Sequence, residues 1–149
     1  MTTSAQLATR RFLAFDFGTK RIGVAVGQAL TGTATPLDAL NARDGIPNWD
    51  DVAGLVKAWR PDGFVVGIPL TMEGVEGEMA LRARKFANRL HGRFNKPSFE
   101  MDERLSSCEA ESYAGGASTS IDSIAAGLIL ESWFRQQQSA ASTHSQEQN

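Results

Sequence analysis

A chain of 149 residues has room for one compact domain and little for a second. At 42% hydrophobic residues it can bury a core without covalent staples, which excludes a mostly disordered protein, and no apolar run nears the roughly 20 residues that cross a bilayer. The lone cysteine, Cys108, excludes an internal disulfide framework and a multi-cysteine zinc site, while a net charge of −2 excludes a global basic field.

Any attraction to nucleic acid must therefore come from a local patch, because counterion release depends on the phosphates contacted. The first residues lack the apolar segment of a secretory signal, so the chain reads as cytoplasmic, with no membrane partner. Residues 1–10 read as a flexible N-terminus, 11–135 as the folded domain, and 136–149 as a disordered polar tail of Gln, Ser, Ala and Thr.

The run RFLAFDF at 11–17 is apolar on both faces of a period-2 pattern, as a covered central strand requires, with Asp16 the exception. Turn chemistry at Gly18 to Arg21 leads into a second strand in which Ile22, Val24 and Val26 alternate with small residues. A third strand is expected at about 31–37, with Pro36 at its end. Asn48 is a good N-cap for a helix whose apolar face carries Trp49, Val52, Val56 and Trp59 and which stops at Pro61. Phe64 to Val66 reads as a short buried strand between glycines. The spacing of Met79, Ala83, Phe86, Ala87, Leu90 and Phe94 predicts a long helix over about 75–94, and 98–101 another strand. A last helix over 121–134 is apolar nearly all round, so it should be buried on more than one side. The order β-β-β-α-β-α-β-α predicts a three-layer α/β domain, a mixed five-stranded sheet with helices on both faces.

Three acids stand at the edges of these buried elements. Asp16 closes the first strand, where it could accept hydrogen bonds from the turn amides or serve as metal ligand or general base. Glu103 follows Asp102 just past the strand at 98–101; there Asp102 could cap a helix starting near Leu105, or Glu103 could pair with Arg104. Asp122 sits in the first turn of the last helix, where it complements the helix dipole or points toward the sheet. Converging carboxylates raise one another's pKa unless a cation neutralises them, and oxygen ligands without a Cys or His cluster select Mg²⁺ or Mn²⁺. A pair of such ions suits phosphodiester hydrolysis.

Positive charge is concentrated too. Arg82, Arg84, Lys85, Arg89, Arg93 and Lys96 occur with no acid between them, and Arg82, Lys85, Arg89 and Arg93 repeat at helical spacing along one flank. That flank is either a solvated face or a track for phosphates. Lys20 and Arg21 add charge in the turn after Asp16.

The motifs DFGTKRIG at 16–23, VGIPL at 66–70, RKFAN at 84–88, DERLS at 102–106 and DSIAA at 122–126 together resemble the YqgF/RuvX family. Its members are RNase H-like proteins regarded as Holliday-junction-resolvase-like enzymes or pre-16S rRNA nucleases. The resemblance implies an RNase H-like fold in which Asp16, Glu103 and Asp122 hold divalent ions for phosphodiester hydrolysis, and Lys20 and Arg104 contact phosphate. It implies a partner in precursor rRNA, branched DNA or a ribosomal precursor particle, and leaves monomer and homodimer open. One departure is the uncharged segment at 113–120, where many relatives carry Lys or Arg. Two rival functions remain: a nucleotide binder related to actin-like ATPases, which also start from an Asp-x-Gly strand end, and a non-catalytic RNA-binding assembly factor.

Overall fold

A computed structural model describes residues 10–70, 77–103 and 121–147, with side chains as far as 139. In chain order it contains β1 (Arg11–Asp16), β2 (Arg21–Gln28), β3 (Thr33–Arg43), β4 (Ile46–Pro47), α1 (Trp49–Trp59), β5 (Gly63–Ile68), α2 (Glu78–Phe94), β6 (Ser98–Asp102) and α3 (Ile121–Glu147). The strands form one sheet in the order β4-β3-β2-β1-β5-β6. Neighbours β1 and β2 and β2 and β3 run antiparallel, whereas β5 is parallel to both β1 and β6.

The double-sided apolar pattern of β1 has the expected consequence. Leu13 and Phe15 belong to a core shared with Phe86 and Leu90 of α2 and Val52 of α1. Phe12 and Ala14 face the other way, into a core with Ile129, Leu130, Trp133 and Phe134 of α3. The sheet is thus sandwiched between α1 and α2 on one side and α3 on the other. Phe12 meets Trp133 with ring centroids 4.8 Å apart, and Phe15 meets Phe86 at 5.3 Å.

Small residues let α3 come close. Gly23, Ala25 and Gly27 alternate with the large residues of β2 and face α3. A Cβ at Gly27 would fall 2.9 Å from Leu130 Cδ2, inside contact distance. Helix α1 begins as expected: Asn48 Oδ1 accepts from the Asp50 N–H at 2.9 Å, and the helix closes at Arg60 in the left-handed region, φ 47°.

The sheet departs from expectation at its β3 edge. It has six strands, the extra one being the two-residue β4, and β3 runs through Pro36 to Arg43. Pro36 pairs with Ala25 on one side only, because β4 covers just Ala42 and Arg43. An edge position tolerates a residue that cannot donate to a ladder. The β3–β4 turn is Asp44-Gly45, both at positive φ (52° and 81°), as a two-residue hairpin turn demands. That dipeptide was a hairpin signal in the sequence. Helix α3 continues to Glu147 across a stretch whose polarity suggested a disordered tail. Residues 136–147 contain Gln, Ala and Glu, good helix formers, and neither Gly nor Pro. Among the described residues no helix is long and apolar enough to cross a membrane.

Candidate active site

The site is built around one row of the sheet. Asp16, the last residue of β1, pairs with Gly23 of β2 on one side and Gly67 of β5 on the other, and Gly67 pairs with Met101 of β6. By strand alternation Asp16 shares the α3 face with Phe12 and Ala14, as Glu103 shares it with Met101. The glycines leave the floor beside Asp16 empty of side chains, and the other two acids come in over them. A Cβ at Gly67 would fall 2.7 Å from Glu103 Oε1, and one at Gly23 only 1.9 Å from the Asp122 carbonyl oxygen. The first turn of α3 is pinned there by a buried hydrogen bond, Val24 N–H to Ser123 Oγ at 3.2 Å. The β2–β3 register shifts between Ile22 and Val24, which accompanies this diversion of the Val24 N–H to α3.

Three carboxyls so placed cannot all ionise freely. Burial pushes the Asp16 carboxyl up to about 9, helped by its hydrogen bond to Glu103 and by the charges of Glu103 and Asp122. At neutral pH Asp16 therefore keeps its proton and donates it to Glu103, whose Oε1 is sealed from solvent. Asp122 is partly exposed and lies 3.6 Å from Arg21 Nε at its Oδ2. Among the described residues no group of three His, Cys, Asp or Glu side chains is placed to hold a metal ion. The donor set is all hard oxygen, the chemistry that divalent ions such as Mg²⁺ or Mn²⁺ take.

The structure thus brings Asp16, Glu103 and Asp122 to one place and sets Arg21 against Asp122. Lys20 is exposed in the β1–β2 turn, with its carbonyl bonded to the Ala42 N–H at 2.8 Å. Arg82, Lys85 and Arg89 are not in the acid site. They lie on α2, which covers the opposite face of the sheet. Arg82 is held by Glu78 Oε1 at 3.0 Å, one turn back on the same helix, and by Asp44 Oδ1 at 2.9 Å, which tertiary contact supplies. Arg104, Cys108, the helix start expected near Leu105 and the 113–120 segment lie outside the described residues.

Sequence reasoning missed Gly23, Gly67 and Ser123. An isolated glycine inside a strand pattern marks close backbone approach, and that signal was present at both positions. For Ser123 there was none, since nothing local shows which amide it meets.

Comparison with known proteins agrees with this architecture. A family model described as "RuvX: Holliday junction resolvase" matches residues 10–136. A protein of Aeromonas hydrophila subsp. hydrophila is 51% identical over 138 residues, covering 88% of this chain and 99% of its own. One from Photobacterium profundum is 55% identical over 137 residues, covering 87% and 96%. Both carry the name "Putative pre-16S rRNA nuclease". Among solved structures, Thermus thermophilus RuvC in complex with a Holliday junction substrate has a TM-score of 0.59 at 14% identity, covering 86% of this chain and 96% of that one. The fowlpox virus Holliday junction resolvase reaches 0.52 at 15% identity, covering 85% and 99%. The latter two likenesses establish the fold, which is RNase H-like.

Proposed function

This chain belongs to the RuvX family, and from that premise we propose that it is a metal-dependent endonuclease hydrolysing phosphodiester bonds at Asp16, Glu103 and Asp122, acting in maturation of the 16S rRNA 5′ end in the cytoplasm. The observation that carries the proposal is the buried Asp16 carboxyl, hydrogen-bonded to Glu103 and facing the charge of Asp122. Carboxyls perturbed by burial and by charged neighbours concentrate at functional sites. The names of its relatives point to the substrate.

Two Mg²⁺ or Mn²⁺ ions held by these three carboxylates would supply Lewis acidity toward the phosphoryl oxygens and the attacking water. The chain's own residues do the rest. Loss of the single proton shared by Asp16 and Glu103 converts a singly charged pair into two carboxylate donors. Gly23 and Gly67 leave the space in which the Asp122 backbone and the Glu103 carboxyl come in beside Asp16. Arg21 trades its contact with Asp122 for a substrate phosphate once Asp122 is neutralised, and Lys20, one residue earlier in the turn, offers a second cation. In-line water attack then leaves a 5′-phosphate and a 3′-hydroxyl.

The test is side-by-side incubation of a 16S rRNA precursor fragment and a four-way DNA junction with purified protein, with Mg²⁺ or Mn²⁺ and a chelator control. Chelator-sensitive cleavage of the RNA is expected, reduced by several orders of magnitude in Asp16→Asn. Full cleavage by a normally folded Asp16→Asn protein would overturn the assignment. Preference for the junction would favour the resolvase reading, for which the family's description speaks, and would call for a two-fold dimer.

A further inference from the structure

A cleft of about 210 Å³ opens on the side of the sheet away from the acids, lined by Phe17, Asp44, Gly45, Ile46, Arg82, Lys85, Phe86 and Arg89. Its walls are the β3–β4 hairpin and the flank of α2. Three cations face a single carboxylate, and that carboxylate, Asp44, is already neutralised by Arg82. Lys85 and Arg89 are exposed and, among the described residues, have no ion-pair partner. One turn further along α2, the Arg93 guanidinium lies 4.3 Å from the centroid of Trp49, which continues the positive flank. The volume falls below the roughly 300–1,000 Å³ of small-molecule sites but is ample for a phosphate and part of its sugar.

The cleft adjoins the acid site through the chain. Phe17, on its floor, directly follows Asp16. The hairpin is tied to the β1–β2 turn by the Gly45 N–H on the Thr19 carbonyl at 2.9 Å and the Ala42 N–H on the Lys20 carbonyl at 2.8 Å. Lys20 and Arg21 stand in the turn to which this hairpin is bonded, and Arg21 reaches Asp122.

We propose that Lys85 and Arg89 hold the sugar–phosphate backbone of a single-stranded segment of the substrate in this cleft, the strand then crossing the β1–β2 turn to reach the acids. Arg82 is a positioning residue that clamps the hairpin to α2. The proposal deepens the nuclease reading and rests on it for the strand's destination, but the cleft can be tested without cleavage.

The experiment measures affinity of labelled single-stranded RNA by fluorescence anisotropy across a salt series, in an Asp16→Asn background without divalent metal. Lys85→Ala/Arg89→Ala is compared with a charge-matched control, Lys57→Ala/Arg135→Ala. Loss of two phosphate contacts on a single strand lowers the salt slope by about 1.4, which is roughly a 25-fold weaker Kd at 0.1 M salt. The control retains wild-type slope and affinity. An unchanged slope in the cleft variant overturns the proposal, whatever cleavage assays say. So does equal weakening by the control. Competition by millimolar inorganic phosphate or AMP that fully displaces the RNA would reassign the cleft to a small anion. Failure of cleavage alone would sink the nuclease reading and leave the cleft result standing.

Discussion

Asp16→Asn should make the protein more stable while removing its activity. Folding raises the Asp16 carboxyl from an ordinary 3.8 to about 9, with burial the largest cause. Between those values the folded state binds a proton that the unfolded chain releases, so stability from this group is full below pH 4 and declines as pH rises through 9. At pH 7 the charge-equivalent burden has a ceiling of about 4 kcal/mol, at about 1.4 kcal/mol per pH unit travelled. Residual hydration at the strand end brings the expected gain on substitution to about 2 kcal/mol, or roughly 4–8 °C in Tm for a domain of this size. Asparagine keeps the donor to Glu103 and carries no charge to desolvate. Thermal unfolding without divalent ions, at pH 5, 7 and 8.5, reads this out. The gap between variant and wild type should be small at pH 5 and widen steadily with pH. Identical melting curves at all three would refute a protonated, buried Asp16. Added Mn²⁺ should raise the wild-type Tm and leave that of the variant unchanged.

Other perturbations probe the frame. Gly23→Ala drives a Cβ onto the Asp122 carbonyl, a backbone atom that cannot swing aside; chemical denaturation should show a loss of about 3 kcal/mol, with cleavage falling as the helix start is displaced. Gly54→Ala is the contrast: nothing lies within 4 Å on the exposed side of α1, and the same assay should show a gain of about 0.5–1 kcal/mol. Ser123→Ala strands the buried Val24 N–H and should cost about 1–3 kcal/mol. The apparent affinity for Mn²⁺, titrated without substrate, should rise with pH from 6 to 8, because a cation must displace the proton that Asp16 shares with Glu103. A flat profile would mean that the cation does not displace this proton.

Much of the architecture was legible in the pattern of side chains along the chain. Phe12 to Phe15 on both faces of one strand require cover on both sides, and the stripe from Ala83 to Leu90 and the all-round apolarity of α3 supply it. Hydrophobic burial is roughly proportional to area and indifferent to partner, so periodicity reveals which face is buried. For the same reason it does not reveal against what. Only folding placed the basic flank of α2 on the opposite side of the sheet from Asp16, set Asp44 against Arg82, and carried β3 past Pro36 into a hairpin at the edge. The acids could each be found at an element's end, but their meeting depends on the register that puts Gly23 and Gly67 on either side of Asp16. Hydrogen-bonded pairing over long sequence separations fixes that register, and electrostatics then decides who keeps the proton. A carboxylate's character in this molecule is a property of its neighbours, and its neighbours are chosen by the sheet.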